Sequence, residues 1–360
     1  GPMGTDLGSA MTEGRDGCLT PWLPDSWYIA AESRRLPPGR LLPVEIGGLP
    51  LVLFRGRAGR AVALEDRCPH RGLALSRGRL DAGSVACAYH GWTFDERGSC
   101  CNIPSLVPED ATKAHSGVPV YPVKEQDGFV WVHPASTKPQ AAPFPIPHAG
   151  DPDYGRLYLG SVTIHASLLA CVENFLDVSH TRFVHGRLAR VGPLQRVTPI
   201  TRITSGSVEV EYPGEPKPKG ILFRLFTPHG EWMRHVDRFL APSIVQTEYD
   251  FGDGCRVLSN DIFTPVDRFE TRLYSVTMFR MPIPRVLFSL LTRPFAKTIV
   301  RQDRAILEAQ AANNRRFRRE RYTVVASDLF FPHLVRILRG SVAAHEEATT
   351  QEIRGATIHI

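Results

Sequence analysis

Cys68-Pro69-His70 and Cys87-Ala88-Tyr89-His90 are the two stretches whose reading decides the fold. Each offers one thiol and one imidazole, and 16 residues, Arg71 to Ala86, lie between them. A [2Fe–2S] cluster with sulfur ligands on one iron and nitrogen ligands on the other takes this donor set. Two loops that each bring one Cys and one His can close on it from opposite sides. The competing reading is a structural zinc site. Zinc ribbons and fingers, however, pair Cys with Cys and His with His at short spacing, whereas here the two types alternate within each loop.

The spacing resembles the Rieske signature, C-x-H followed by C-x-x-H, and matches it at every ligand position. Gly91-Trp92-Thr93-Phe94 after the second pair follows the same pattern. Around these loops, residues from about 22 to 135 read as an all-β domain of short strands. Trp27 to Ala30 is a first strand. Val44 to Ile46 and Leu51 to Phe54 flank the hairpin turn Gly47-Gly48-Leu49-Pro50. Ala61 to Leu64 leads into the first loop, and Phe129 to Val132 closes the domain.

A chain of 360 residues has room for about two domains. Its 42% hydrophobic content, with 9% aromatic residues, belongs to a globular protein and excludes global disorder. No apolar run approaches the roughly 18 residues that would span a bilayer, so no membrane partner is expected. Gly1-Pro2-Met3-Gly4 reads as a protease scar with vector residues, which sets residues 1–10 apart as expression scar and makes Met11 the native start. The seven Cys do not form a disulfide framework. Two serve the cluster, and Cys18, Cys100, Cys101, Cys171 and Cys255 fit free thiols in a reducing cytoplasm. Net charge is +6. The basic run Arg315-Arg316-Phe317-Arg318-Arg319 has no nucleic-acid motif beside it and reads as a solvated helix end, with docking of an acidic electron-transfer partner as the alternative.

Residues 136–153 are rich in Pro and Ala and read as a linker. Residues 154–360 mix helices with antiparallel strands, placed near 208–212, 221–226, 245–251, 256–263 and 272–280. Helical patterns run from about Leu168 to Val184, Pro294 to Arg319 and Asp328 to Leu338. The fold class is therefore α+β: an all-β domain and then a helix-grip-like domain with an antiparallel sheet.

The second constellation lies in Glu173-Asn174-Phe175-Leu176-Asp177-Val178-Ser179-His180-Thr181-Arg182-Phe183-Val184-His185. On a helix, Asn174, Asp177 and Thr181 share a face with His180 beside it. His185 reaches the same point only if the helix ends or tightens between the two histidines. Two imidazoles and one carboxylate on a common point form a facial triad that suits Fe(II) with positions open for O2 and substrate. The third ligand must be a distant acid. In Phe295 to Gln310 a stripe of Phe295, Ile299, Asp303, Ile306 and Gln310 sets Asp303 among apolar neighbours, a costly place for a charge unless it is paired or metal-bound. Glu308, on a more polar side, is the competing candidate.

Asn-x-x-Asp-x-x-His-x4-His downstream of a Rieske signature resembles the catalytic motif of Rieske non-haem iron oxygenases, and the likeness runs from Trp27 to the helix after Asp303. It implies that Cys68, His70, Cys87 and His90 hold the [2Fe–2S] cluster, and that His180, His185 and Asp303 hold a mononuclear iron. It further implies head-to-tail homotrimers in which Asp177 bridges His180 to His90 of the next chain, with Asn174 a nearby polar contact. The resemblance makes this chain a terminal oxygenase component with O2 as cosubstrate, fed with NAD(P)H electrons by a partner reductase, directly or through a ferredoxin. The chain itself has no convincing nucleotide fingerprint. Its size and the Trp27-Tyr28-Ile29-Ala30 opening look more like the homomeric monooxygenase and demethylase branch than the ring-dihydroxylating one. Hydroxylation or O-/N-demethylation of an apolar or aromatic small molecule is the expectation. N-oxygenation, oxidative cyclisation and dihydroxylation are alternatives, and an electron-transfer protein without oxygenase activity is the alternative of another class. Leu222, Phe223, Phe226, Met278, Phe279 and Met281 are the candidate pocket walls, and equally candidate core residues.

Overall fold

A computed structural model describes residues 22–107, 117–135, 137–186, 196–217, 232–318, 322–339 and 350–360. The chain divides into two compact units, Pro24–Pro145 and Ile146–Ile360, with Trp22 and Leu23 grouped with the second.

The first unit is built of short antiparallel strands. They are β1 (Tyr28–Glu32), β2 (Leu42–Ile46), β3 (Leu49–Arg55), β4 (Ala61–Glu65), β5 (Arg79–Asp81), β6 (Ser84–Ala86), β7 (Thr93–Phe94), β8 (Cys100–Asn102), β9 (Val120–Tyr121), β10 (Val123–Gln126) and β11 (Phe129–Val132). They pair as three small sheets, β1-β11-β10, β2-β3-β4-β9 and β5-β6-β7-β8. Gly47 and Gly48 both adopt positive φ in the β2–β3 hairpin, the backbone that such a two-residue turn demands. Val52, Phe54, Leu64, Leu75, Val85 and Phe94 form a buried core that also encloses Cys68 and Cys87. The Pro-rich stretch lies along this unit: Trp27 Nε1 donates to the Ala141 carbonyl at 2.7 Å, and the Gln126 amide donates to that of Phe144 at 3.0 Å.

The second unit carries β12 (Gly155–Ile164), helix α1 (Leu168–Leu176), helix α2 (Thr181–Val184), β13 (Arg196–Val197), β14 (Ile200–Ile203), β15 (Ser207–Glu211), β16 (Glu215–Pro216), β17 (Trp232–Leu240), β18 (Ile244–Asp250), β19 (Arg256–Pro265), β20 (Thr271–Arg280), the long helix α3 (Arg285–Phe317), helix α4 (Phe331–Leu338), β21 (Gln351–Arg354) and β22 (Ile358–His359). Nine of these strands form one sheet, in the order β12-β20-β19-β18-β17-β15-β14-β21, with β16 on β17. The strands are antiparallel throughout. The α+β class expected from the sequence is the class observed.

Strand alternation sorts the sheet's two faces. On one face Val208, Phe239 and Val245 stand side by side across β15, β17 and β18. They join Phe263, Leu273 and residues of α1 and α4 in the main core. Phe263 meets Phe175 of α1 edge to face, with ring centroids 5.2 Å apart. On the other face a charge ladder crosses the strands. Arg238 reaches Glu209 at 2.6 Å and Glu248 at 2.8 Å, and Arg202 reaches Glu209 and Glu211 at 2.9 and 3.0 Å.

Two helices differ from the sequence expectation. The pattern read as one helix from Leu168 to Val184 breaks at Asp177, which is extended at φ −79°, ψ 109°. Its carboxylate accepts the Ser179 and His180 backbone N–H groups at 2.7 and 3.1 Å, bonds that compete with helix continuation. The long helix begins at Arg285, a turn and more before Pro294, so Pro294 sits inside it instead of opening it. The expected strand at 221–226 lies outside the described residues.

A buried charged group sits within the sheet. His235 on β17 is stacked against Tyr249, its Nδ1 2.6 Å from Glu215 Oε2 and its Nε2 3.3 Å from Asp237 Oδ2. The second contact is off the line of a hydrogen bond, so charge rather than hydrogen bonding carries it. Burial disfavours the imidazolium, but Asp237 and Glu215 outweigh it and lift the pKa to about 9. A histidine raised above its ordinary value of about 6.5 contributes stability fully below that pH and loses it as pH rises through the folded value. The urea midpoint of the second unit's unfolding is therefore expected to fall between pH 6.5 and about 9, and His235→Gln should flatten that fall. A midpoint constant across the range in the unsubstituted protein would contradict this.

Candidate metal centres

The two cysteine–histidine loops share one backbone turn. Cys68 N–H donates to the Leu73 carbonyl at 2.8 Å and Gly72 N–H returns to the Cys68 carbonyl at 2.9 Å. In the second loop Cys87 N–H donates to Trp92 at 2.8 Å and Gly91 N–H returns to Cys87 at 3.0 Å. Gly72 and Gly91 take φ of 77° and 72°, which closes each turn four residues after its cysteine. Gly91 is doubly constrained, because a Cβ there would meet Pro104 Cγ at 2.9 Å. Asp66 pins the base of the first loop by accepting Ser76 N–H and Oγ–H at 2.7 and 2.6 Å.

Both cysteines are buried. Burial raises the Cys68 pKa, the adjacent Cys87 adds to the rise, and the backbone N–H groups of His70 and Arg71 oppose it. The His70 and His90 rings lie 4.5 Å apart, and His70 stacks on Trp92 at 4.7 Å. His70 Nδ1 is buried with no hydrogen-bond partner. Two adjacent buried sulfurs and an orphaned imidazole nitrogen fit a polynuclear metal cluster, which takes thiolate and neutral imidazole as ligands.

The second centre joins α1–α2 to α3. His180 Nε2 lies 3.3 Å from His185 Nε2 and 3.2 Å from Asp303 Oδ1, which is 3.1 Å from His185 Nε2. His180 and His185 flank the short helix α2, both in helical backbone, and their long side chains meet from its two ends. Three donor atoms so spaced could all ligate one first-row cation at distances of about 2.1 Å. Asp303 is buried, and its Oδ1 has no aligned hydrogen bond despite the two close nitrogens. The lone pairs converge on one point instead of on N–H groups.

Both outer imidazole nitrogens are tied off. His180 Nδ1 meets the Asp177 carbonyl at 2.5 Å, and His185 Nδ1 meets Gln302 Oε1 at 3.0 Å. Each partner can only accept, so each Nδ1 carries the proton and each Nε2 offers a lone pair inward. Burial opposes charge on His180, yet Asp177 and Asp303 raise its pKa to about 9. Asp303, despite burial, is held below the ordinary carboxylate range by the two histidines. The pocket thus favours positive charge, which a divalent cation supplies in place of a proton. Of the carboxylates weighed from the sequence, Asp303 joins the histidines. Glu308 is engaged elsewhere, accepting from Arg304 Nε at 2.9 Å and from His165 N–H at 3.2 Å.

The other singled-out residues fall as follows. Asn174 is buried on α1 with its Oδ1 unpartnered. Asp177 remains partly exposed, its carboxylate accepting the Ser179 and His180 N–H groups ahead of α2 and lying 3.7 Å from His180 Nδ1. Met278 and Phe279 are neighbours in β20 and point to opposite faces, so they cannot line one pocket together. Phe279 packs on Phe288 of α3 at 4.3 Å, and Met281 packs with Met233, Phe251 and Cys255. Leu222, Phe223, Phe226 and Cys18 lie outside the described residues. Sequence reasoning missed Gln302, whose only signal is its position beside Asp303. It also missed Asp261, buried on β19 beside Val245 and Ser275. Burial, with the charge of Asp303 adding to it, pushes the Asp261 carboxyl up to about 6.

Fold and sites together define a two-centre metalloprotein, with a cluster domain followed by a domain that gathers a facial triad beneath an antiparallel sheet. Residues 26–122 match the family profile of the Rieske [2Fe–2S] domain, and residues 164–344 that of the vanillate O-demethylase oxygenase C-terminal domain. The chain belongs to the Rieske non-haem iron oxygenases, with a [2Fe–2S] cluster and a mononuclear non-haem iron as cofactors. It is similar to 4beta-methylsterol monooxygenase of Methylococcus capsulatus, 37% identical over 43% of this chain and 42% of that one. It is also similar to the oxygenase component of dicamba O-demethylase of Stenotrophomonas maltophilia, 33% identical over 51% and 54%. These alignments span about half the length of the curated relatives, and one with chlorophyllide a oxygenase of Chlamydomonas reinhardtii spans 24% of it. In fold the chain resembles dicamba monooxygenase bound to dicamba, with a TM-score of 0.72 at 22% identity, over 89% of this chain and 97% of that one.

Gln302→Leu removes the acceptor that fixes the His185 tautomer. Iron affinity at the second centre is expected to fall roughly 10- to 100-fold, measured by ferrous titration, while the visible spectrum of the cluster domain stays unchanged. Undiminished affinity would mean that Gln302 does not orient His185.

Proposed function

We propose that the protein is a terminal oxygenase component that uses O2 and electrons from an external NAD(P)H-dependent reductase, directly or through a ferredoxin, to oxidise an apolar or aromatic small molecule. The observation that carries the reading is the convergence of His180 Nε2, His185 Nε2 and Asp303 Oδ1 within 3.1–3.3 Å of one another, with both Nδ1 atoms tied off behind them. His180, His185 and Asp303 hold the iron in this reading, and Cys68, His70, Cys87 and His90 hold the cluster. When bound, the cluster stores one electron and the iron activates O2 beside the substrate. The protein's own part is positional. The Asp177 carbonyl and Gln302 keep both imidazoles aimed, with each Nε2 turned toward Asp303.

Hydroxylation or O-/N-demethylation is favoured over dihydroxylation by the match of residues 164–344 to the vanillate O-demethylase oxygenase domain. A relative named 3-chlorobenzoate-3,4-dioxygenase oxygenase subunit, 35% identical over 44% of this chain, keeps dihydroxylation as the second reading. Among the described residues no helix is long and apolar enough to cross a membrane, and the six described cysteines are unpaired. A reducing cytoplasm is the proposed location.

Asp177 is assigned the inter-subunit bridge of a homotrimer, joining His180 to His90 of the neighbouring copy. Its carboxylate is partly exposed and 3.7 Å from His180 Nδ1, and each oxygen keeps a lone pair beyond its backbone N–H bond.

Asp303→Ala is expected to abolish oxygenase turnover while the red-brown cluster spectrum persists and iron falls from about three to about two per chain. Retained turnover would remove Asp303 from the triad. Asp177→Asn is expected to keep both metals, and the trimer, yet slow single-turnover reoxidation of the reduced protein at least tenfold, or about 1.4 kcal/mol of barrier. An unchanged rate, or a monomer with full turnover, would overturn the bridging assignment.

A further inference from the structure

The first three turns of α3 expose an apolar stripe that no described residue covers. Val286 is 82% exposed and Leu290 68%, and Leu287, Leu291 and Phe295 are exposed beside them. At about 100° per residue Val286, Leu287, Leu290 and Leu291 lie roughly 100–160° round the helix from Asp303, and Phe295, at roughly 80°, forms the edge of the stripe nearest to it. Isolated surface leucines need no explanation, but five contiguous large apolar side chains on one helical face do.

The charges around the stripe have one sign. Arg285, Arg293, Lys297 and Arg301 are exposed on the same helix, and no Asp or Glu occurs from Arg285 to Gln302. The structure records no ion pair for any of the four; Arg285 donates to the Pro152 carbonyl and Arg301 to Thr298 Oγ1 at 3.4 Å. At the foot of the stripe a cleft of about 470 Å³ is lined by Phe279, Met281, Ile283 and Val286, with Arg280, Arg285 and Asp153. Its lining mixes polar with apolar surface, and its two guanidiniums outnumber its one carboxylate.

We propose that this face of α3 docks on an anionic lipid surface. Large apolar side chains among cations, with no acid in the helix from Arg285 to Gln302, form the pattern of a helix that lies in the headgroup region without spanning the bilayer. A two-fold contact of the stripe with itself on a second copy fits less well, because it would set its cations against their like. The inference is independent of the oxygenase reading, since it concerns a side of α3 other than the one that carries Asp303.

Sedimentation of the full-length protein with vesicles tests it, using phosphatidylcholine alone and phosphatidylcholine mixed with phosphatidylglycerol. The protein is expected to pellet with the anionic vesicles and to be released by salt. Leu290→Glu should abolish pelleting, and Arg293→Gln should lower the partition coefficient roughly fivefold. An unaltered visible spectrum and far-ultraviolet dichroism show that each variant folds. Equal pelleting with both vesicle types, no pelleting, or Leu290→Glu pelleting like the unsubstituted protein would overturn the proposal. So would a change of mass in solution on Leu290→Glu without vesicle binding, which would make the stripe a contact between copies.

Discussion

A buried carboxylate oxygen that faces two imidazole nitrogens, with no hydrogen bond of its own, is the constraint on which the second unit depends. Asp303 Oδ1 sits 3.1 and 3.2 Å from the two Nε2 atoms. Burying a charge without compensation costs more than a domain of this size can spare. Much of the surrounding structure answers that demand. The interruption at Asp177 starts a separate short helix whose two ends carry the histidines, the Asp177 carbonyl and Gln302 hold their tautomers, and α3 is long enough to carry Asp303 to them. The nine-stranded sheet is the rigid backing against which α1 and α3 are set, which is how a site built from separate elements keeps its geometry.

The first unit solves a similar problem by repetition. The same hydrogen-bonded turn occurs twice, each time beginning at a buried cysteine and closing on a glycine with positive φ. Short strands suffice there because metal ligation supplements what a small core contributes. The second unit relies on packing instead, with its largest buried side chains gathered between the sheet, α1 and α4.

How much of this was legible in the sequence follows from how local each determinant is. Both cysteine–histidine pairs and the His180–His185 pair are fixed by spacing within a few residues, and they could be read directly. Asp303 was legible because an acid in an apolar helical stripe is anomalous. Gln302 was not, because a glutamine beside an acid carries no signal until the fold brings His185 to it. Asp261 was hidden for a similar reason, since its burial comes from neighbours on two other strands. Strand β17, Trp232-Met233-Arg234-His235-Val236-Asp237-Arg238-Phe239-Leu240, was missed because its charges are satisfied across the sheet by Glu209, Glu211 and Glu248. A search for apolar alternation discounts such residues. An end or tightening of the helix between His180 and His185 was left open, but the chain breaks earlier, at Asp177, through two backbone bonds to one carboxylate that helical periodicity does not register.

The backbone amides of His70 and Arg71, in the same loop, favour the thiolate form of Cys68. Donors aimed at a ligating sulfur withdraw electron density from the metal and make an added electron easier to hold, so they raise the reduction potential. Part of the driving force available to this protein's redox chemistry is therefore set by main-chain geometry. Side-chain replacement leaves that contribution in place, and shifting it requires bending the loop itself.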